Sequence, residues 1–507
     1  MSFDGNFYER FERHCRADPS APCLETGTGE RLDRAWLDAQ SARYAHALLA
    51  LGCAAGDRVA SQVEKSPQAL ALYLGCIRAG LVFVPLNTAY QSAELGYLLS
   101  DAAPRVFVTR PDSSALPEGL GTPPQVVTLD EHGGGSLAAM ASNAASMFAT
   151  VRCTGQTTAV LVYTSGTTGR PKGAMVSHRA MTYGAATLAQ VWRFSSADVL
   201  LHALPIFHGH GLMISANVVL ACGARMIFQP RFDAGAVIEA LPRATVFMGV
   251  PTLYHRLLAD PRVEPALCRN LRLFTCGSAP LSAEVHRAFE ARTGHSIVER
   301  YGTTETLILC SNPIDGERRP GSVGLPLPGV DLRIADKDDR MLAHGEIGSI
   351  QVRGDGLFSG YWNMPAQTAQ EFTAEGWFKT GDLGCIGPDG YVSITGRSKD
   401  LVISGGYNVY PAEVETALNE MESVQESAIV GVPHPDFGEA VVAFVIPSDP
   451  QRPPAPGEVI QWAKQRLANY KVPKDVHVVA ELPRNAMGKV LKNELRKSLT
   501  AGNANKP

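Results

Sequence analysis

Hydroxyl side chains, glycines and one lysine crowd into residues 163–175, YTSGTTGRPKGAM. Glycines let main-chain N–H groups turn inward as an anion-binding nest, and Ser and Thr hydroxyls add donors. Thr164, Ser165, Gly166, Thr167, Thr168 and Gly169 are thus expected to cradle phosphate, with Lys172 adding a point charge for its oxygens. A Walker A loop has lysine directly after glycine, whereas Arg170 and Pro171 separate Gly169 from Lys172 here. The usual P-loop ATPase architecture is therefore disfavoured, and a polar turn is the bland alternative.

A second cluster is YGTTET at 301–306. Within five residues it offers an aromatic face, Tyr301, to stack on a base, a hydroxyl, Thr304, for a phosphate, and a carboxylate, Glu305, for Mg²⁺. Gly277, Ser278 and Ala279 follow an apolar segment, and their small side chains leave a flat base room to approach the backbone. His208 and His210, with His202 nearby, lack a third ligand at suitable spacing, so zinc is not expected.

The elements that must carry these groups alternate. Residues 39–51 have helical spacing, 58–62 are strand-like, 66–80 helical, and 81–85 and 106–109 apolar strands. Such alternation predicts an open α/β sheet with right-handed crossovers. The Gly-, Pro- and Ser-rich stretch 111–136 reads as loop. Strands are expected at 159–163, 225–228, 245–249 and 271–276, and a small β-rich subdomain from 334, with strands at 347–353 and 391–395. The last part holds a helix at 411–421, strands at 427–431 and 440–446, a proline-rich loop at 447–456, a helix at 458–468 and a basic end, frayed after 499.

With 507 residues, the chain exceeds what one core usually serves, so at least two domains are expected. Forty-six basic against 50 acidic side chains, with no long run of one sign, give no support for nucleic-acid binding. Ten scattered cysteines, no signal peptide and no apolar stretch of about 18 residues point to reduced thiols and a cytoplasmic protein off the membrane.

The loop at 163–175 resembles the signature loop of the adenylate-forming superfamily of acyl-CoA synthetases, luciferases and peptide-synthetase adenylation domains. The other motifs follow in that superfamily's order over almost the whole chain. The resemblance implies an α/β fold with a large N-terminal domain, residues 1–396, and a small mobile α+β C-terminal domain, 397–507. It implies ATP, Mg²⁺ and coenzyme A as cofactors, and a carboxylic acid activated as an acyl-adenylate before transfer to the thiol. By the same resemblance, Gly277, Ser278 and Ala279 lie against adenine, and Tyr301, Thr304 and Glu305 keep the roles given above. Asp382 and Arg397 contact the ribose, and Lys489 bridges carboxylate and phosphate. Lys399 occupies the hinge, while Gly405 and Gly406 approach the pantetheine channel. The basic run 464–497 meets CoA phosphates or is a solvated face.

Within the superfamily, LHALPIFHGHGL (201–212), VPT (250–252) and ERYG (299–302) resemble malonyl-CoA synthetases. A dicarboxylate needs a cation for its second carboxylate, and Arg300 suits a bidentate clamp, with His208 as a further donor. The bland reading of Arg300 is an ion pair with Glu299. Thr303 stands where the malonate pattern has Met, and residues 307–310 are more apolar than that pattern. A branched dicarboxylate such as methylmalonate, another small aliphatic or aryl acid, or a carrier-protein thiol as acceptor are the alternatives.

Overall fold

The computed structural model describes residues 3–113, 116–164, 170–404 and 407–503. Apolar runs bounded by turn residues build two sheets in the large N-terminal domain. One has six strands in the spatial order Gln125–Thr128, Val106–Thr109, Arg58–Gln62, Val82–Pro85, Thr158–Thr164 and Lys172–Ser177. Its first five strands are parallel and the last antiparallel. Val82–Pro85 and Val106–Thr109 are buried at every position, as expected of parallel strands covered on both faces. The helix Pro67–Arg78 starts where the Ser66 hydroxyl accepts from Ala69 N and proline occupies the first turn, and it stops before Gly80 at φ +70°. The 111–136 stretch is not all loop: Gln125–Thr128 pairs with Val106–Thr109 and a helix spans Ser136–Ser142. An edge strand of four residues flanked by Gly and Pro carries too little periodicity to be read locally.

The second sheet has nine strands, with Val199–His202, Val246–Gly249, Leu273–Cys276 and Val298–Tyr301 parallel at its centre. A third, antiparallel sheet of four strands runs from Val330–Ala335 to Val392–Arg397, the β-rich subdomain. The smaller C-terminal domain has five strands, including the long hairpin Val424–His434 and Gly438–Pro447. Its interior is its own, with Val402, Leu418, Ile429, Val441 and Val459 fully buried together. The backbone after 499 is helical to Asn503, because Leu499 packs against Leu482 and Leu495 rather than fraying.

Candidate active site

Tyr301 ends a central strand of the nine-stranded sheet, and from there its side chain reaches the antiparallel subdomain. Its hydroxyl donates to Asp382 Oδ2 at 2.6 Å, while Arg397 Nε approaches Oδ1 at 2.8 Å. Strand register explains the ion pair, since Asp382 lies opposite Arg397. Tyr301, 81 residues from Asp382 in the chain, thus joins this hairpin pair around a buried carboxylate. Asp382 raises the Arg397 pKa, and burial followed by Asp382 raises that of Tyr301 well above its ordinary value.

Lys489 comes from the C-terminal domain and stands near enough to feel the charges of Arg397 and Asp382. Burial first, then the like charges of Arg397 and Lys399, pull its ammonium down to about 8, opposed by Asp382 and Asp400. Its approach is fixed next door. Gly488 sits at φ +74°, so close to Thr252 that a Cβ would lie 2.6 Å from that side chain. Met487 is buried among core residues of the large domain. Burying a methionine favours docking by about 1.5–3 kcal/mol, which holds the loop yet is small enough to reverse. Lys399 itself lies exposed in a short turn, Ser398–Asp400, between the two domains' sheets.

Around the phosphate loop, the strand Thr158–Thr164 returns antiparallel as Lys172–Ser177, with Thr164 opposite Lys172. No helix follows directly, which separates it from a Walker A loop. Ser165, Gly166, Thr167, Thr168, Gly169, Gly405 and Gly406 lie outside the described residues. Thr164 Oγ1 lies 3.4 Å from Glu305 Oε1, to which Tyr361 donates at 3.0 Å. The buried Lys172 ammonium meets Glu371 at 3.0 Å and stands 4.4 Å above the Tyr361 ring. Thr304 is half-buried beside Glu305. Among the described residues no three His, Cys, Asp or Glu side chains cluster as a metal cage. One carboxylate beside a phosphate loop fits Mg²⁺, which keeps most of its positions for water and phosphate oxygens.

A buried cation stands beside Tyr301 in its strand. Arg300 is 5% exposed, and its Nε and Nη2 meet no acceptor among the described residues. Glu299 faces the opposite side of the strand, where His286 Nδ1 at 3.3 Å and the Gly321 N–H at 3.2 Å engage it. The bland reading of an Arg300–Glu299 pair therefore does not hold. Arg300 instead rests on Gly277, where a Cβ would lie 2.5 Å from Nε. Ser278, at φ +70°, brings its hydroxyl 3.2 Å from His210 Nδ1, and the His210 N–H donates to His208 Nδ1 at 3.1 Å. Burial first and Arg300 second hold His208 down to about 4 and keep His210 well below the usual imidazole range, so both are neutral. Ala279 continues the same loop, partly exposed.

Motif reading passes over several neighbours. His210, discounted as a zinc ligand, has a buried Nε2 with no partner among the described residues. The buried Lys65 ammonium is 2.8 Å from His202 Nδ1, whose Nε2 is 2.8 Å from the Gly211 carbonyl at the start of a π-helical stretch, His210–Ala216. Tyr361 and Glu371 stand 56 and 199 residues from their partners Glu305 and Lys172, a separation that no local pattern reveals. The basic run 464–497 is largely neutralised at home, with Lys471 on Glu413, Arg484 on Glu426, Lys492 on Glu415 and Arg496 on Asp400.

Residues 11–362 match the family of AMP-binding enzymes, and 413–489 match the AMP-binding enzyme C-terminal domain. A malonate–CoA ligase of Arabidopsis thaliana is 35% identical, aligned over 88% of this chain and 79% of its own. A feruloyl-CoA synthase of an Amycolatopsis species is 36% identical over 96% and 97%. Among solved structures, ATP-bound MatB from Rhodopseudomonas palustris is similar at 47% identity and TM-score 0.94, covering 97% of this chain and 99% of that one. No helix among the described residues is long and apolar enough to cross a membrane. The chain belongs to the family of AMP-binding enzymes, in which it is an ATP- and Mg²⁺-dependent ligase joining a carboxylic acid to coenzyme A.

Proposed function

We propose that the acid is a small dicarboxylate, malonate or methylmalonate, and that Arg300 clamps its second carboxylate. The observation that carries this reading is the buried guanidinium with two unpartnered nitrogens. A buried cation without a counter-charge is costly, and a substrate carboxylate supplies what the protein withholds. Neutral His208 and His210 stand ready to donate beside it, since burial holds both imidazoles uncharged. Similarity to the malonate–CoA ligase and to MatB supports the same choice. Relatives acting on other acids, such as feruloyl-CoA synthase, make the substrate a matter for direct test.

In this reading the free carboxylate attacks the α-phosphorus and pyrophosphate leaves. Asp382, Arg397 and Tyr301 fix the ribose and adenine, with the loop of Gly277, Ser278 and Ala279 on the far side. Thr164, Lys172 and the rest of the phosphate loop hold the β- and γ-phosphates, and Thr304 donates at the α-phosphate. Glu305 would hold Mg²⁺, which when bound would supply positive charge against the phosphates. Lys489 bridges carboxylate and phosphate, so positioning and charge neutralisation carry the step. The C-terminal domain, residues 397–507, then rotates about Lys399, withdraws Lys489 and brings Gly405 and Gly406 to the thiol's path. Formation of AMP and thioester is measured with ATP, Mg²⁺, CoA and malonate, methylmalonate, succinate, acetate, butyrate or benzoate. Preference for malonate or methylmalonate is expected; preference for a monocarboxylate rejects the clamp.

A further inference from the structure

Tyr361 belongs to none of the motifs above, yet it touches both charged groups of the triphosphate end. Its backbone is stitched to the strand that bears Lys172: Trp362 N donates to Gly173 O at 2.7 Å and Met175 N to Gly360 O at 3.0 Å. Gly360, at φ +126°, turns the chain there, and the Tyr361 N–H is capped by Thr368 Oγ1 at 2.9 Å. The ring is 5% exposed and packs edge-on against Phe358, 4.8 Å between centroids. A ring so held has one orientation, and both of its ends are used. The Lys172 ammonium lies over the face at 4.4 Å, and the hydroxyl donates to Glu305 Oε1 at 3.0 Å.

Thr164 reaches the same oxygen, at 3.4 Å. Both contacts thus converge on Oε1, and Oε2 has no partner among the described residues. A hydrogen bond to one carboxylate oxygen fixes the plane in which the other is presented to a metal. A cation over an aromatic face keeps for anions the N–H directions that point away from the ring, and Glu371 takes one of them here at 3.0 Å. We infer that Tyr361 is a positioning residue that sets Glu305 for Mg²⁺ through its hydroxyl and Lys172 for phosphate through its ring. It couples the two charge-neutralising groups in one rigid side chain. The inference rests on the reading of Glu305 as the Mg²⁺ ligand.

The test separates the two ends of the ring. Mn²⁺ binding to the full-length enzyme is read by electron paramagnetic resonance with a non-hydrolysable ATP analogue present. Metal-free binding of the same analogue is read by calorimetry. Tyr361→Phe keeps the ring and is expected to weaken Mn²⁺ about tenfold, with metal-free nucleotide affinity held within about twofold. Tyr361→Leu removes the ring as well and is expected to weaken the metal-free nucleotide too; circular dichroism establishes that it folds. Glu305→Gln is the reference. Unaltered Mn²⁺ affinity in Glu305→Gln rejects the metal-ligand reading itself. Loss in Glu305→Gln with wild-type affinity in Tyr361→Phe overturns the coupling alone. Equal loss of metal and metal-free nucleotide in Tyr361→Phe reduces the residue to packing and also overturns it.

Discussion

Charge at single side chains decides most of this chemistry. In the docked arrangement Lys489 titrates near about 8, against 10.5 for an exposed lysine. Its folded value is lowered, so docking releases a proton between those pH values and becomes easier for the empty enzyme as pH rises. On the proposed role of Lys489, the ammonium that bridges carboxylate and phosphate is lost over the same range. We therefore expect kcat/KM for ATP–pyrophosphate exchange, which reports the free enzyme, to fall as pH rises through about 8. Thioester formation from a supplied acyl-adenylate should show no such limb. A shared fall in both half-reactions would remove Lys489 as its cause. Asp382→Asn tests the neighbouring cluster. Losing the anion that Arg397 and Tyr301 share should raise the KM for ATP about 10–100-fold while sparing the apparent affinity for acid. An unchanged ATP KM would displace Asp382 from the ribose.

Elements explain why these side chains meet. The period of two in Val298–Tyr301 sends Glu299 to His286 and Arg300 to the other face, beside Gly277. The end of Leu273–Cys276 places Gly277 flat against that guanidinium. Gly277→Ala should therefore damage use of a dicarboxylate much as loss of Arg300 does, at a cost of about 1–3 kcal/mol in stability. Thermal melting together with acid selectivity checks this, and wild-type selectivity in a folded variant would contradict it. The strands at 58–62, 106–109 and 225–228 were legible from their apolar runs alone. Residue type alone marked YGTTE and the phosphate loop as candidate sites, and the fold brings Thr164 of the loop within 3.4 Å of Glu305 of YGTTE. What the sequence could not disclose was assembly across distance: Tyr361 beneath Lys172, Glu371 in its ion pair, and the buried Lys65–His202 contact. Their partners are set by sheet packing, which leaves no local periodicity. Gln125–Thr128 was lost for the opposite reason, being short and at a sheet edge.

At the scale of the whole molecule, the two domains meet through contacts that include the Lys489 loop. Met487 enters the large domain's core, Gly488 abuts Thr252, and Gln425 Nε2 lies 3.1 Å from His255 Nε2. Gly488→Ala would force a Cβ against Thr252 at a positive φ and should disfavour this docking. The expected result is a loss of pyrophosphate exchange of about tenfold or more, with thioester formation from preformed acyl-adenylate retained. Equal losses in both would mean that the contact does not belong to one half-reaction. Replacing Lys399 by proline should do the reverse if rotation passes through that turn, slowing transfer to CoA more than adenylation, as stopped-flow measurement of each step would reveal.

The central claim is that Arg300 makes this ligase an enzyme of dicarboxylates. Its most direct test is kcat/KM for malonate and for butyrate in the wild type and in Arg300→Ala. The account predicts that wild type prefers malonate and that the substitution costs malonate about 100-fold or more, with butyrate altered far less, so that the preference collapses. An equal loss for both acids would contradict it and assign Arg300 to the support of the neighbouring nucleotide loop.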